Sequence, residues 1–297
     1  MPIKTLIAGL GNIGMMYDYN SNQIITHCKY IKRSKNLILS AAIDKKKLNR
    51  KKFIIKYKKP AYKDVFEGLK RINPQLIIVA YYEKKIEKII KILAYPSIKY
   101  MIVEKPFLYK LYEIKKFYKF LAKSRKTFLI NFPRSFNFDY EKLHNFVKKK
   151  SFGKIKFIEF STSGNVVSNF SHFLFLFLKE IPYKFKIKSL RNIVQIDFKK
   201  FNLTLKKINA KYFFFNLKLY YEKGTIMIEG PPEKVKIYSI KKSSLYNGVQ
   251  SLKIEKKINL GIIKNNVYEK IRSKKKKMKL NKKKFINYIK ILSHIKI

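Results

Sequence analysis

Apolar and polar positions in the first part of the chain switch repeatedly between two periods. Short β-prone runs at residues 4–8 (Lys-Thr-Leu-Ile-Ala), Leu37–Ile43, Leu76–Ala80, Tyr100–Val103 and Thr127–Phe132 have the length of buried strands, Leu76–Ala80 being continuously apolar. Between them lie a helical stretch after Asp44, then Asp64–Arg71, Lys84–Leu93 and Leu111–Lys123, with apolar residues at helical spacing. Strand alternating with helix predicts a doubly wound parallel sheet. The rhythm changes beyond a boundary near Asn131–Arg134. Phe138–Lys150 reads as a helix, Ile155–Ser161 as a strand and Ser171–Lys179 as a short apolar helix. From Lys184 to Ile240 the pattern is mainly that of strands, with a hairpin at Tyr221–Gly224 where Gly224 is expected to supply a positive φ. A last helix is expected at Lys283–Ile295. The predicted organisation is an α/β domain at 1–132, followed at 133–297 by an α+β domain on a largely antiparallel sheet.

Composition changes this picture little. The net charge of +51 invites a polyanion-binding reading, but of 69 basic residues only seven are arginine, the side chain suited to bidentate phosphate and base contacts. Lysine, isoleucine, asparagine, phenylalanine and tyrosine are abundant, the signature of an AT-rich coding bias. Lysines run through the whole chain, concentrated only at Lys274–Lys284. No specific nucleic-acid partner is expected. Cys28 is the sole cysteine, which fits a reducing, cytoplasmic setting. The densest apolar run, Phe170–Leu178, contains Ser171 and His172 and falls far short of the roughly 20 residues of a membrane span. Pro2–Met16 imitates a signal peptide, but glycines interrupt it and no small-residue cleavage site follows.

Those glycines carry the strongest local signal. Gly9-Leu10-Gly11-Asn12-Ile13-Gly14 follows the first strand directly and precedes an expected helix. This is the GxGxxG fingerprint of a Rossmann domain, in which the first glycine allows the turn, the second the approach of a pyrophosphate, and the third close helix–strand packing. Asp44 ends the second strand, where a carboxylate accepts hydrogen bonds from the adenosine ribose and repels a 2′-phosphate. NAD is therefore expected over NADP, with Lys45, Lys46 and Lys47 keeping NADP open. Asp44 lies farther from the glycines than usual, and Tyr17–Gln23 reads as a small insertion. Glu104-Lys105-Pro106 closes the fifth strand, on the sheet edge where such folds bind ligands. His27, His144 and His294 have no partners at metal-ligand spacing, and no metal site is expected.

In order, Gly9–Gly14, Val103-Glu104-Lys105-Pro106-Phe107, Gly153-Lys154-Ile155 and Asn169-Phe170-Ser171-His172 resemble the glucose–fructose oxidoreductase/inositol dehydrogenase (Gfo/Idh/MocA) family. Ile25-Thr26-His27, Pro60-Ala61-Tyr62, Asn131 with Arg134, and Glu222–Ile226 extend the resemblance over residues 3–240. It implies an NAD(P)-dependent enzyme acting on CH–OH groups of sugars or polyols, with Lys105 the principal proton carrier and His172 the second catalytic group. It further implies that Gly9, Gly11, Asn12, Ile13, Gly14, Asp44, Ala80, Tyr81, Glu104 and Lys105 line the cofactor. Asn131, Arg134 and Asn169 are left to bind substrate, and a homo-oligomer is expected by analogy.

The chain also departs from the family. Ala80-Tyr81-Tyr82 replaces Ala-Thr-Pro, Ile86 stands near the place of a histidine, and Ser168 and Phe175 replace aspartates around His172. The asparagine at 169 is closer to a branch associated with surface-polysaccharide genes. A non-catalytic dinucleotide-binding relative is the competing reading, and a polyanion binder a third.

Overall fold

The computed structural model describes residues 1–149, 152–177, 184–261, 267–272 and 282–295. The chain separates into two compact units, Met1–Phe132 with Val267–Lys282, and Pro133–Asn266 with Lys283–Ile297.

In the first unit, β1 (Ile3–Ala8), β2 (Leu37–Ile43), β3 (Ala61–Tyr62), β4 (Leu76–Val79), β5 (Tyr100–Glu104) and β6 (Thr127–Asn131) alternate with helices. These are α1 (His27–Arg33), α2 (Lys47–Tyr57), α3 (Val65–Ile72), α4 (Ile86–Ala94) and α5 (Leu111–Lys123). The sheet order is β3-β2-β1-β4-β5-β6, and every pairing is parallel. This is the Rossmann order, with its switch point between β1 and β4. The buried parts of the central strands are almost wholly apolar because helices cover both faces: Leu6, Ile7 and Ala8 on β1 and Leu76–Val79 on β4 are fully buried. The helices follow from their ends and faces. Asp64 caps α3 by accepting the N–H groups of Phe66 and Glu67 at 2.8 and 3.1 Å. On α4 the buried residues are Ile86, Ile89, Ile92 and Leu93, one stripe at helical spacing.

The expected helix after Gly14 is not regular. Asn12–Met16 forms one wide π turn, in which the Gly11 carbonyl accepts the N–H groups of Met15 and Met16. The chain then loops to α1, and the reason is Asp18. Its buried carboxylate accepts the N–H groups of Ile25 (2.7 Å) and Thr26 (2.8 Å) and the Thr26 hydroxyl (2.7 Å). The insertion expected at Tyr17–Gln23 is a loop wrapped on this anchor.

The second unit contains α6 (Pro133–Phe136), α7 (Phe138–Lys149), β7 (Ile155–Thr162), α8 (Val166–Phe177), β8 (Lys186–Leu190), β9 (Ile193–Asp197) and β10 (Asn202–Lys207). It continues with β11 (Phe215–Tyr221), β12 (Gly224–Gly230), β13 (Glu233–Lys242) and β14 (Gln250–Gly261). Its eight strands run β14-β13-β12-β11-β7-β10-β9-β8, antiparallel except where β10 meets β7. Alternation sets the faces. Phe215, Leu217 and Leu219 of β11 and Ile158 and Phe160 of β7 turn inward. There α8 lays Phe170 and Phe173 on Phe160, with ring centroids 5.4 and 5.6 Å away. Each buried aromatic contributes about 1.5–3 kcal/mol. Phe157, Lys218, Tyr220 and Lys236 stay half-buried on the opposite face.

Three differences from expectation have physical causes. The β11–β12 hairpin forms at Glu222–Lys223, but Gly224 does not take a positive φ; glycine is needed because a side chain there would strike the Tyr238 carbonyl. Helix α8 starts at Val166 rather than Ser171, because the Asn165 side chain accepts the Ser168 N–H at 2.7 Å and caps it. Strand β14, too lysine-rich to show alternation, was not expected. Of the C-terminal region, α9 (Val267–Arg272) belongs to the first unit and α10 (Lys282–Ser293) to the second. Lys150, Lys179 and most of Lys274–Lys284 lie outside the described residues. No helix among the described residues is long and apolar enough to cross a membrane.

Candidate active site

The C-terminal edge of the first unit's sheet gathers most of the residues singled out in the sequence. Gly9 adopts φ +101° and donates its N–H to the Ile43 carbonyl at 2.7 Å, which bends the chain sharply off β1. A side chain on Gly9 would meet the Ala80 backbone and the Tyr81 ring, and one on Gly14 would collide with the Gly9 carbonyl. Protein atoms therefore account for both of these glycines. Gly11 differs: it is exposed, and a Cβ there would meet nothing within 4 Å. The protein's own packing gives no reason for glycine at 11, whereas a phosphate approaching the backbone does.

Asp44 is half-buried at the end of β2 and organises this loop directly. Its Oδ2 accepts the Leu10 N–H at 2.8 Å and the Asn49 amide at 3.1 Å, while Oδ1 accepts the Lys46 N–H at 2.8 Å. A carboxylate offers about four acceptor sites, so room for a ribose hydroxyl remains. Arg50 donates to the carbonyls of Asp44 (2.8 Å) and Lys45 (2.9 Å). Neither Asn49 nor Arg50 stood out in the sequence.

Across the switch point, the Ala80 N–H donates to the Ala8 carbonyl at 2.7 Å, bringing Ala80-Tyr81 beside the glycine loop. Tyr81 is half-buried; burial, then the charge and hydrogen bond of Glu83, push its phenol well up. The Tyr82 hydroxyl donates to the Leu108 carbonyl at 2.8 Å, and the Tyr109 hydroxyl to the Glu83 carbonyl. These two bonds tie the loop after β4 to the loop after β5, which carries Lys105. Ile86 is fully buried at the start of α4.

Glu104 ends β5 within a buried polar cluster. Its Oε1 accepts from His27 Nε2 at 2.9 Å and from the Asn131 amide at 2.5 Å. His27 Nδ1 is hydrogen-bonded to the hydroxyl of Tyr268 on α9, and Tyr268 stacks on Tyr30 with centroids 4.1 Å apart. Burial raises the Glu104 carboxyl, but His27, Asn131 and the charge of Lys105 together hold it below its ordinary value of 4.5. Among the described residues, Asn131 Oδ1 is buried without a hydrogen-bond partner. His27 was set aside in the sequence, and Tyr268 drew no notice. Lys105 is half-buried next to Glu104.

The remaining expected residues lie in the second unit. His172 is buried on α8, one turn from Asn169, whose amide donates to Thr162 Oγ1 at 3.4 Å. Arg134 is committed to the unit's interior. It donates to Glu233 Oε1 at 2.5 Å, and its guanidinium lies 4.9 and 4.8 Å from the ring centres of Phe173 and Phe215. The other Glu233 oxygen accepts the Tyr140 hydroxyl. Among the described residues, no three His, Cys, Asp or Glu side chains are grouped as metal ligands.

No protein-family profile and no curated protein matches this sequence. Solved structures match its fold. One is a variant of KijD10, a 3-ketoreductase from Actinomadura kijaniata in complex with TDP-benzene and NADP, at 10% identity over 99% of this chain and 97% of that one, TM-score 0.73. Another is the WlbA dehydrogenase from Bordetella pertussis in complex with NADH and UDP-GlcNAcA, at 12% identity over 77% and 80%, TM-score 0.61. A dehydrogenase from Chromobacterium violaceum matches at 12% identity over 91% and 85%, TM-score 0.65. At such identities the likeness is one of fold.

Proposed function

We propose that this chain is an NAD(P)-dependent oxidoreductase of the Gfo/Idh/MocA type, acting on a hydroxyl or keto carbon of a sugar or sugar derivative. The observation that carries this reading is the glycine loop: Gly9 and Gly14 are packed by protein, while Gly11 stands open at the switch point, on the same sheet edge as the end of β5 that carries Glu104-Lys105. Bound nicotinamide dinucleotide would supply the hydride, which no side chain can. Gly11 and the turn at Asn12–Ile13 would hold its pyrophosphate, Asp44 a ribose hydroxyl, and Ala80 and Tyr81 the wall across the switch point. The carboxylate of Asp44 favours NAD, since it repels a 2′-phosphate; Lys45 and Arg50 are close enough in the chain to soften that preference.

Lys105 carries the proton in this reading, giving it to the carbonyl oxygen in reduction and taking it from the hydroxyl in oxidation. His172 is the second proton-bearing group that the family resemblance implies, with Asn131 and Asn169 offering hydrogen bonds to substrate. KijD10 and WlbA were crystallised with nucleotide-linked ligands, which favours a nucleotide-linked sugar as the form of substrate. A second copy of the chain and a reducing, cytoplasmic setting belong to the same reading. A non-catalytic dinucleotide binder is the second reading, favoured by the bulkier Tyr81 beside the glycine loop where the family has Thr.

Turnover separates the two. Transfer of deuterium from C4-deuterated NADH to a panel of nucleotide-linked keto sugars should be detectable by mass spectrometry. Lys105→Met should lower the rate by at least about 100-fold, the scale of a lost general acid. Saturable NADH binding with no transfer to any sugar would favour the non-catalytic reading.

A further inference from the structure

The cluster at Glu104 is joined by hydrogen bonds at both ring nitrogens of His27. An ionised carboxylate only accepts, so His27 must present Nε2–H to Glu104 Oε1. The other ring nitrogen, Nδ1, is hydrogen-bonded to the Tyr268 hydroxyl. Burial first, then the charge of Glu104, pushes the Tyr268 phenol well above its ordinary range, so it stays protonated and uncharged. Hydrogen bonds therefore link Tyr268 to His27 and His27 to Glu104, with the Asn131 amide arriving from β6. His27 is 1% exposed and Tyr268 4%, so water does not compete for these bonds.

Helix α1 brings His27, Tyr30 and the buried Cys28; β5 brings Glu104 and Lys105; β6 brings Asn131; and α9 brings Tyr268, with Glu269 felt at Tyr30. Asp18 acts on Cys28. The cation coupled to Glu104, apart from any charge on His27, is Lys105, its neighbour in sequence.

We propose that His27 and Tyr268 are positioning residues for Lys105: they hold Glu104 as an oriented, buried anion, and that anion favours the ammonium form of Lys105. A histidine oriented by a carboxylate is familiar from hydrolase triads, where the histidine does the chemistry. Here the order is reversed. The histidine and tyrosine serve the carboxylate, and the carboxylate serves the lysine that follows it. The inference rests on the oxidoreductase reading for what Lys105 does, but not for how tightly Lys105 holds its proton.

That proton affinity is measurable without turnover. The full-length protein is pulsed with trace isotopic acetic anhydride at pH values from about 6 to 11, a range that brackets ordinary lysine titration. Digestion and mass spectrometry then give the labelling midpoint of Lys105, with exposed Lys51 as internal control. Glu104→Gln should lower the Lys105 midpoint by about one pH unit or more. Tyr268→Phe, which removes a single oxygen, and His27→Gln should move it the same way by less, with Lys51 unchanged. An unmoved midpoint in Glu104→Gln, with unchanged circular dichroism, would overturn the proposal. A shift in Glu104→Gln but none in Tyr268→Phe or His27→Gln would overturn the role of those two residues. Lack of hydride transfer by the same wild-type sample would sink the oxidoreductase reading and leave the labelling result standing.

Discussion

Arg134 was expected to bind substrate, and its surroundings give it another task. Its guanidinium neutralises Glu233, which is 4% exposed and also takes the Tyr140 hydroxyl, and it stacks between Phe173 and Phe215. Removing one member of such a pair leaves a buried charge unpaired, a loss of about 3–5 kcal/mol. Arg134→Met should therefore lower the urea midpoint by a corresponding amount, and Arg134→Lys should recover little, since the ammonium lacks the planar fork and stacking face. A change below about 1 kcal/mol would place Arg134 among ordinary exposed ion pairs and reopen a substrate role. The sequence could flag Arg134 but not its partner, because Glu233 lies 99 residues away. His27 was passed over for the same reason: its partners are on β5 and α9, Tyr268 being 241 residues distant. Residues whose chemistry is local, such as Gly9, Gly11, Gly14 and Asp44, were legible because one turn and one strand end suffice to place them.

Elements were legible where a period is long and clean. The buried strands and the stripes of α4 and α5 stand within a residue or two of their expected limits. The segment after Gly14 was not, because a single carboxylate overrides its helical propensity. Asp18 is held below its ordinary value of 3.8: burial raises it, but the Thr26 and Ile25 N–H groups, the Thr26 hydroxyl and Lys29 outweigh that. A carboxylate whose folded pKa is depressed stabilises the fold above its unfolded pKa and ceases to do so as pH falls through its folded one. Asp18→Asn should thus cost about 1–3 kcal/mol at pH 7. The gap in thermal midpoint between variant and wild type should shrink as pH drops below 3.8. Calorimetry across that range checks it; a pH-independent gap would show that shape, not charge, anchors the loop. Strand β14 escaped notice because Lys253, Lys256 and Lys257 break its alternation.

At the scale of the whole molecule, the order of apolar runs was enough to foresee a doubly wound sheet followed by a largely antiparallel one. The return of α9 to the first unit was not foreseeable, since the segment around it is lysine-rich and carries little periodicity. The net charge of +51 remains uninformative about partners: exposed lysines occur in both units, among them Lys45–Lys47, Lys58 and Lys59 in the first and Lys186, Lys188 and Lys234 in the second. The proposed function needs a dinucleotide cradle, and Gly11 is where that proposal is most exposed to test. NADH is titrated by nicotinamide fluorescence into wild type and Gly11→Ala, in salt high enough to screen the lysines. The account predicts saturable binding to wild type, at least about tenfold weaker binding to the variant (some 1.4 kcal/mol) and an unchanged thermal midpoint, because no protein atom meets the added methyl group. Equal binding by both proteins, or none by wild type, would contradict it.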